Sequence, residues 1–207
     1  MVNQAYQLPF RRVGQDVFIW AKAQILSPER ISIGDSVIID DFVFLMGGEE
    51  TILASFIHIG AFSSVLGGGY LIMEDFAGIS SGVRVFTGNE DYLGECLTNP
   101  AVPSPYRLPT RSSVHIKKHV IIGANTVILP GVTIGEGAAI GANSLVTKDC
   151  DPWTIYAGSP VRPFKIRQRE KIIGLEIRLR SELYDQQGNY IPKIQRKPAS
   201  GERAHNI

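Results

Sequence analysis

The chain has 207 residues, 44% hydrophobic and 20% charged, a composition that excludes intrinsic disorder and suits one ordinary domain. Lys and Arg number 21 against 20 Asp and Glu, and a net charge of +1 gives no basis for a general nucleic-acid binder or a membrane-surface protein. No apolar run nears the ~18 residues that span a bilayer; Met1–Phe10 lacks a secretory pattern, and Cys96 and Cys150 form neither a disulfide framework nor a zinc box, so a reduced, cytoplasmic protein is expected.

In chain order, the first signal is a period. Aliphatic residues or Met stand at Val13, Ile19, Ile25, then Ile33, Ile39, Leu45, then Leu53, Ile59, Val65, then Met73, Ile79, Val85. Steps within a trio are six residues and steps between trios are eight, so the frame repeats every 20. The paired extra residues are Glu29–Arg30, Glu49–Glu50 and Gly69–Tyr70. In extended chain, residues i and i−2 point the same way, and of the positions two before each key residue only Arg11 is charged. Three short sides with turns between them close one coil, and each coil needs its neighbours to bury its interior. A 25-residue break, 89–113, interrupts the frame; its prolines and the apolar Tyr92, Leu93, Leu97, Val102, Tyr106 and Leu108 predict an ordered, protruding loop that packs on a neighbouring chain. The frame then resumes at Ile116, Ile122, Ile128, Ile134, Ile140 and Val146, giving six coils: 11–28, 31–48, 51–68, 71–88, 114–131 and 132–149. One more strand is expected over 153–157 and a turn at GSPVRP. From about Lys165 to Tyr184 the stripe Ile172, Leu175, Leu179, Leu183 predicts a helix that caps the solenoid, followed by a polar tail over 186–207. The expected division is a β-helix domain over 1–164, with its loop, and a C-terminal helix and tail over 165–207.

The tandem aliphatic-Gly-x4 pattern, the stretch HVIIGANTVILPGVTIGEGAAIGANSLVTKD and the following PWTIYAGSPVRPFK resemble the hexapeptide-repeat acyltransferases, over roughly residues 11–170. The resemblance implies an all-β solenoid, a left-handed parallel β-helix, assembled as a homotrimer with active sites between subunits. It implies direct transfer of an acetyl or other short acyl group from coenzyme A, without an acyl-enzyme or a metal, to a sugar or other small acceptor. A nucleotide-linked sugar for surface polysaccharide is the expected acceptor.

No phosphate loop, zinc box or G-x-S-x-G elbow is present. Direct transfer, as the resemblance implies it, leaves the protein to hold the thioester, orient the acceptor and stabilise the oxyanion. Matched to the family, Ala124 and Ala142, each after a repeat glycine (Gly123, Gly141), let the pantetheine arm approach the backbone. Lys148, Arg162 and Lys165 are candidates for its phosphates. Many members place a catalytic His where the loop opens; here the residues are Thr87-Gly88-Asn89-Glu90-Asp91-Tyr92. Glu90 or Asp91 suits an amine acceptor, binding the ammonium and taking its proton, with Ser80 and Ser81 assisting by hydrogen bonds. His115, outward between Val114 and Ile116, is the rival base. Arg84, Asn89 and Tyr92 are candidates for holding the acceptor. Transfer to a sugar hydroxyl is the alternative chemistry, and a non-enzymatic scaffold the alternative class. A zinc site from His58, His115 and His119 requires three rings to converge from different coil sides.

Overall fold

Short strands recur at the spacing of the aliphatic residues and stack as three parallel sheets, in a computed structural model that describes residues 3–196. The first face runs from Arg12–Val13 to Thr133–Ile134, the second from Phe18–Ile19 to Thr154–Ala157, and the third from Gln24–Leu26 to Leu145–Val146. Register follows the frame: Ile33, Leu53, Met73, Ile116 and Ile134 align across successive coils. Six coils are complete, and a seventh begins with the Cys150 bridge to Ile134 and ends after Thr154–Ala157. The protein is therefore a parallel β-solenoid.

The interior column is the aliphatic frame. All the key positions are buried except Val13 and Ile25, which lie partly exposed in the first coil. Burying an Ile or Leu side chain contributes about 1.5–3 kcal/mol, so stability grows coil by coil. The hydroxyls that enter this column are satisfied: Thr51 bonds Gly47 O, Ser63 bonds Ser80 O and Thr126 bonds Gly141 O. The N-terminal segment closes the first coil, with Asn3 Oδ1 accepting from Ile19 N and Ala5 fully buried.

The corner between the first and second faces carries an aromatic column. Phe56, Phe76, His119 and Trp153 all hold positive φ there. Left-handed backbone costs a bulky residue about 1–2 kcal/mol, and stacking offsets it: Phe56–Phe76 at 4.7 Å, Phe76–His119 at 5.1 Å, His119–Trp153 at 6.1 Å. Gly137 occupies this corner between His119 and Trp153; a Cβ there would lie 2.4 Å from the Trp153 ring.

The C-terminal segment departs from the sequence pattern. Residues Arg162–Ile166 form a strand, antiparallel to Thr154–Ala157, and the helix begins at Glu170 rather than near Lys165. The second face would otherwise end in a strand edge with unpaired N–H and C=O groups, and pairing that edge outweighs the helical stripe. The compact units divide between Arg169 and Glu170. In the second unit, the helix Glu170–Leu183 buries Glu176, paired with Arg180 at 2.6 Å, while Leu175 of the expected apolar stripe is 58% exposed. The other stripe residues, Ile172, Leu179 and Leu183, are half-buried. His205 and the end of the expected tail lie outside the described residues. Among the described residues, no helix is long and apolar enough to cross a membrane.

Candidate active site

The corner between the second and third faces gathers residues far apart in sequence. Ser80 N bonds Ile122 O, Gly123 N bonds Ile140 O, and Gly141 N bonds Tyr156 O, so Ser80, Gly123 and Gly141 stack in register. The following residues, Ser81, Ala124 and Ala142, stack beside them through Asn125 N to Ser81 O and Asn143 N to Ala124 O. Adjacent coils are about 4.8 Å apart, which puts Ala142 about 10 Å along the axis from Ser81. The coils can approach so closely here because the corner residues are small: a Cβ on Gly123 would meet Ala142 N at 2.4 Å. The result is a narrow edge of small side chains with Ser81 exposed at one end. Below Ser81 the same corner continues as Phe62 and Phe42, stacked at 5.0 Å and half exposed, with the Lys22 ammonium over Phe42. Sequence periodicity did not single out these two rings.

The cationic candidates divide. Arg162, whose Cα partner is Ala157, adjoins the top of this corner, and Lys165 pairs with Ile155 further along the second face. Both are exposed. Lys148 sits elsewhere, at the exposed turn after Leu145–Val146, where the third face meets the first. Arg84 on the third face spends its guanidinium on Phe62 O and Gly82 O, both at 2.7 Å.

The loop leaves from that other end of the third face. Its base is a two-residue antiparallel pair, Gly88–Asn89 with Thr110–Arg111. Asp91 and Glu90, adjacent in sequence, have different environments. The Asp91 carboxylate accepts N–H bonds from Cys96 (2.9 Å), Leu93 (2.7 Å) and Glu95, and those from Cys96 and Leu93 chiefly hold its carboxyl below the usual range. Glu90 turns to Arg107 at 2.6 Å, joining the two ends of the loop. Arg107 was not a sequence candidate; nothing in its spacing distinguishes it from the loop's other arginine. Tyr92 and Leu93 are 86% and 87% exposed, and Tyr106 and Leu108 are also open.

The histidines do not converge. His58 is on the second face against Asp40 at 3.0 Å, and His115 is on the first face, 2.8 Å from Glu74. His119 is buried in the aromatic column. Burial pushes the Glu74 carboxyl up, but bonds from Lys117 (3.0 Å), Lys118 N (3.1 Å) and His115 outweigh it and hold it below the usual range. His115 thus helps tie the coil before the loop to the coil after it.

Within one chain the edge at Ser81 and the carboxylate at Asp91 stand at opposite ends of the third face. The chain crosses that face once between them, more than about 10 Å at ~3.3 Å per residue.

Residues 113–148 match the family model described as bacterial transferase hexapeptide (six repeats). The chain is 42% identical over 174 residues to the dTDP-4-amino-4,6-dideoxy-D-glucose acyltransferase of Escherichia coli, covering 84% of this chain and 90% of that one. It is similar to the solved structure of AntD, an N-acyltransferase from Bacillus cereus, in complex with dTDP and 3-hydroxybutyryl-CoA: TM-score 0.79, 43% identity, 84% of this chain and 92% of that chain. A chloramphenicol acetyltransferase of Agrobacterium fabrum is 32% identical over 53% of this chain and 58% of its own length.

Proposed function

The chain belongs to the hexapeptide-repeat acyltransferases, and from that premise we propose that it moves a short acyl group from acyl-coenzyme A to the amino group of a nucleotide-linked amino-deoxy sugar of the dTDP-4-amino-4,6-dideoxyglucose type. The observation that carries the reading is the stacked edge Ser81–Ala124–Ala142. It offers a thin amide-bearing arm close approach to the backbone, and it ends at a hydroxyl for which no protein partner is found among the described residues. The pantetheine lies along Ala124 and Ala142, with Arg162 and Lys165 toward its phosphates. Lys148 is too far round the last coil to join them on the same chain. The assembly is a homotrimer, in which Asp91 of one copy faces the Ser81 edge of the next.

Asp91, kept ionised, binds the substrate ammonium more readily than it removes its proton. The ammonium passes one proton to solvent water, and the free amine attacks the thioester carbonyl carbon; the C–S bond breaks and the coenzyme leaves as its thiol. The Ser81 hydroxyl, at once donor and acceptor, relays the proton from the attacking nitrogen to the departing sulfur. In AntD a serine and an aspartate ten positions apart have each been replaced, and Ser81 and Asp91 stand ten apart here. Ser80 and Glu90 are also ten apart, so the choice of Ser81 and Asp91 rests on residue type, the replaced acid being an aspartate, and on Glu90 being taken by Arg107. A nucleotide-linked product fits use in surface polysaccharide.

The test is thiol release and product mass with acetyl-coenzyme A and either the 4-amino sugar nucleotide or its 4-hydroxy counterpart. Acetylation of the amine at least a hundredfold faster is expected. Equal rates, or a preference for the hydroxyl, would replace N-transfer with O-transfer.

A further inference from the structure

A cavity of about 450 Å³ opens at the base of the loop, beside the residues that precede Asp91. Its floor is an outward apolar stripe of the third face, Met46, Leu66 and Phe86, one residue from each of three adjacent coils. Its rim carries Arg107 and Arg111, and Asn89 and Glu90 form a wall. The volume is that of an ordinary small-molecule site.

The polar groups here are only partly satisfied. Glu90 and Arg107 share one bond at 2.6 Å, yet Glu90 Oε2 and Arg107 Nε are sealed from solvent with no hydrogen-bond partner. Buried charge with unmet hydrogen-bonding capacity is a cost that a folded chain keeps mainly where a site needs it. Arg111 reaches Glu49 at 2.6 Å while staying half exposed over Gly68, a position without a side chain. Two guanidiniums above an apolar floor match a ligand that is flat and apolar at one end and doubly anionic at the other.

We infer that this cavity seats a nucleoside diphosphate, its base on the Met46–Leu66–Phe86 floor and its phosphates against Arg111 and Arg107. Two ligands of the reaction share that chemistry: the nucleotide of the acceptor and the adenosine diphosphate portion of coenzyme A. Position favours the acceptor. The cavity wall continues from Asn89 and Glu90 directly into Asp91, so a sugar extending past the phosphates reaches the carboxylate that binds its amine. This assignment rests on the reading of the acceptor as a nucleotide sugar.

The experiment is calorimetric titration of the whole protein with thymidine diphosphate and, separately, with coenzyme A. It uses the unaltered chain, Arg111→Gln, and Leu66→Trp, which fills the floor; Arg111→Gln, at an exposed site, keeps the test valid if Leu66→Trp misfolds. The expected result is at least tenfold weaker thymidine diphosphate binding in the variants, with coenzyme A affinity within twofold. Unchanged thymidine diphosphate binding in a folded variant overturns the cavity assignment and leaves the acyltransferase reading standing. Weakened coenzyme A binding with thymidine diphosphate unaffected overturns the choice of the acceptor. Tight coenzyme A binding with no thymidine diphosphate binding by the unaltered chain overturns the nucleotide-sugar reading itself.

Discussion

Gly137→Ala is the substitution whose cost can be worked most directly from the structure. The new Cβ would stand 2.4 Å from Cδ2 and Cε3 of Trp153 and 2.7 Å from Cε2, so the ring must leave the aromatic column. Ala at φ +68 carries about 1–2 kcal/mol of left-handed strain. Loss of the Trp153 contact with His119 removes about 0.5–1.5 kcal/mol, and loss of Arg169 over the indole, 5.8 Å from its centroid, about 0.5–1 kcal/mol. The expected destabilisation is therefore about 2–4.5 kcal/mol. Urea unfolding followed by tryptophan fluorescence measures it, in the unaltered chain and in a Trp153→Ala background. With the ring already gone, Gly137→Ala should cost only the backbone strain, about 1–2 kcal/mol. Equal costs in the two backgrounds would refute the argument that the ring sets the penalty. Trp153 O also accepts from Arg167 N at 2.7 Å, and the Arg167 guanidinium holds His119 O and Gly137 O. The strand bearing Arg162 and Lys165 is anchored there, so a several-fold rise in KM for acetyl-coenzyme A with little change in kcat should accompany the loss of stability.

Asp91→Asn should lower kcat/KM for the amino sugar about 10–100-fold, through the lost contact with its ammonium, while leaving coenzyme A affinity unchanged; calorimetry alongside steady-state rates separates the two, and activity within threefold would remove Asp91 from the mechanism. Glu90→Gln should raise KM for the acceptor and the loop's protease sensitivity more than it lowers kcat, because it loosens the Arg107 pairing that joins the loop's ends. The Glu74 cluster makes stability depend on pH. Its carboxyl is held below the unfolded value of about 4.5, so its contribution is present above that pH and is lost as pH falls through the folded value. Exposure to solvent limits that contribution to about 0.5–1 kcal/mol, and Glu74→Gln should flatten an acid-unfolding profile by that amount. Burial, with Asp149 and Asp151 nearby, pushes the Cys150 thiol up to about 11. Iodoacetamide at pH 8 should therefore label Cys96 in the folded protein and reach Cys150 only after denaturation, as peptide mapping would show.

The coil frame was legible in the sequence because it is a local property repeated. An extended residue and its neighbour two positions away face the same side, so Ile33, Ile39 and Leu45 define three inward positions without reference to anything distant. The hexapeptide stretch over 113–148 carried the family for the same reason. The same frame put Ser81, Ala124 and Ala142 at one place in successive coils, because the break at 89–113 begins and ends at a coil boundary; the folded chain stacks them into one edge. The two acidic loop residues were equivalent as sequence. Tertiary structure separated them: Arg107, 17 residues on, takes Glu90, while three backbone N–H groups gather on Asp91. The helix shows the same limit. Its stripe placed Leu175 inside, and the structure covers Glu176 instead. Periodicity determined which way each strand residue points, since backbone geometry alone fixes that. Which ionised groups find partners and which edge is paired depend on contacts between distant segments, and these the tertiary structure decided.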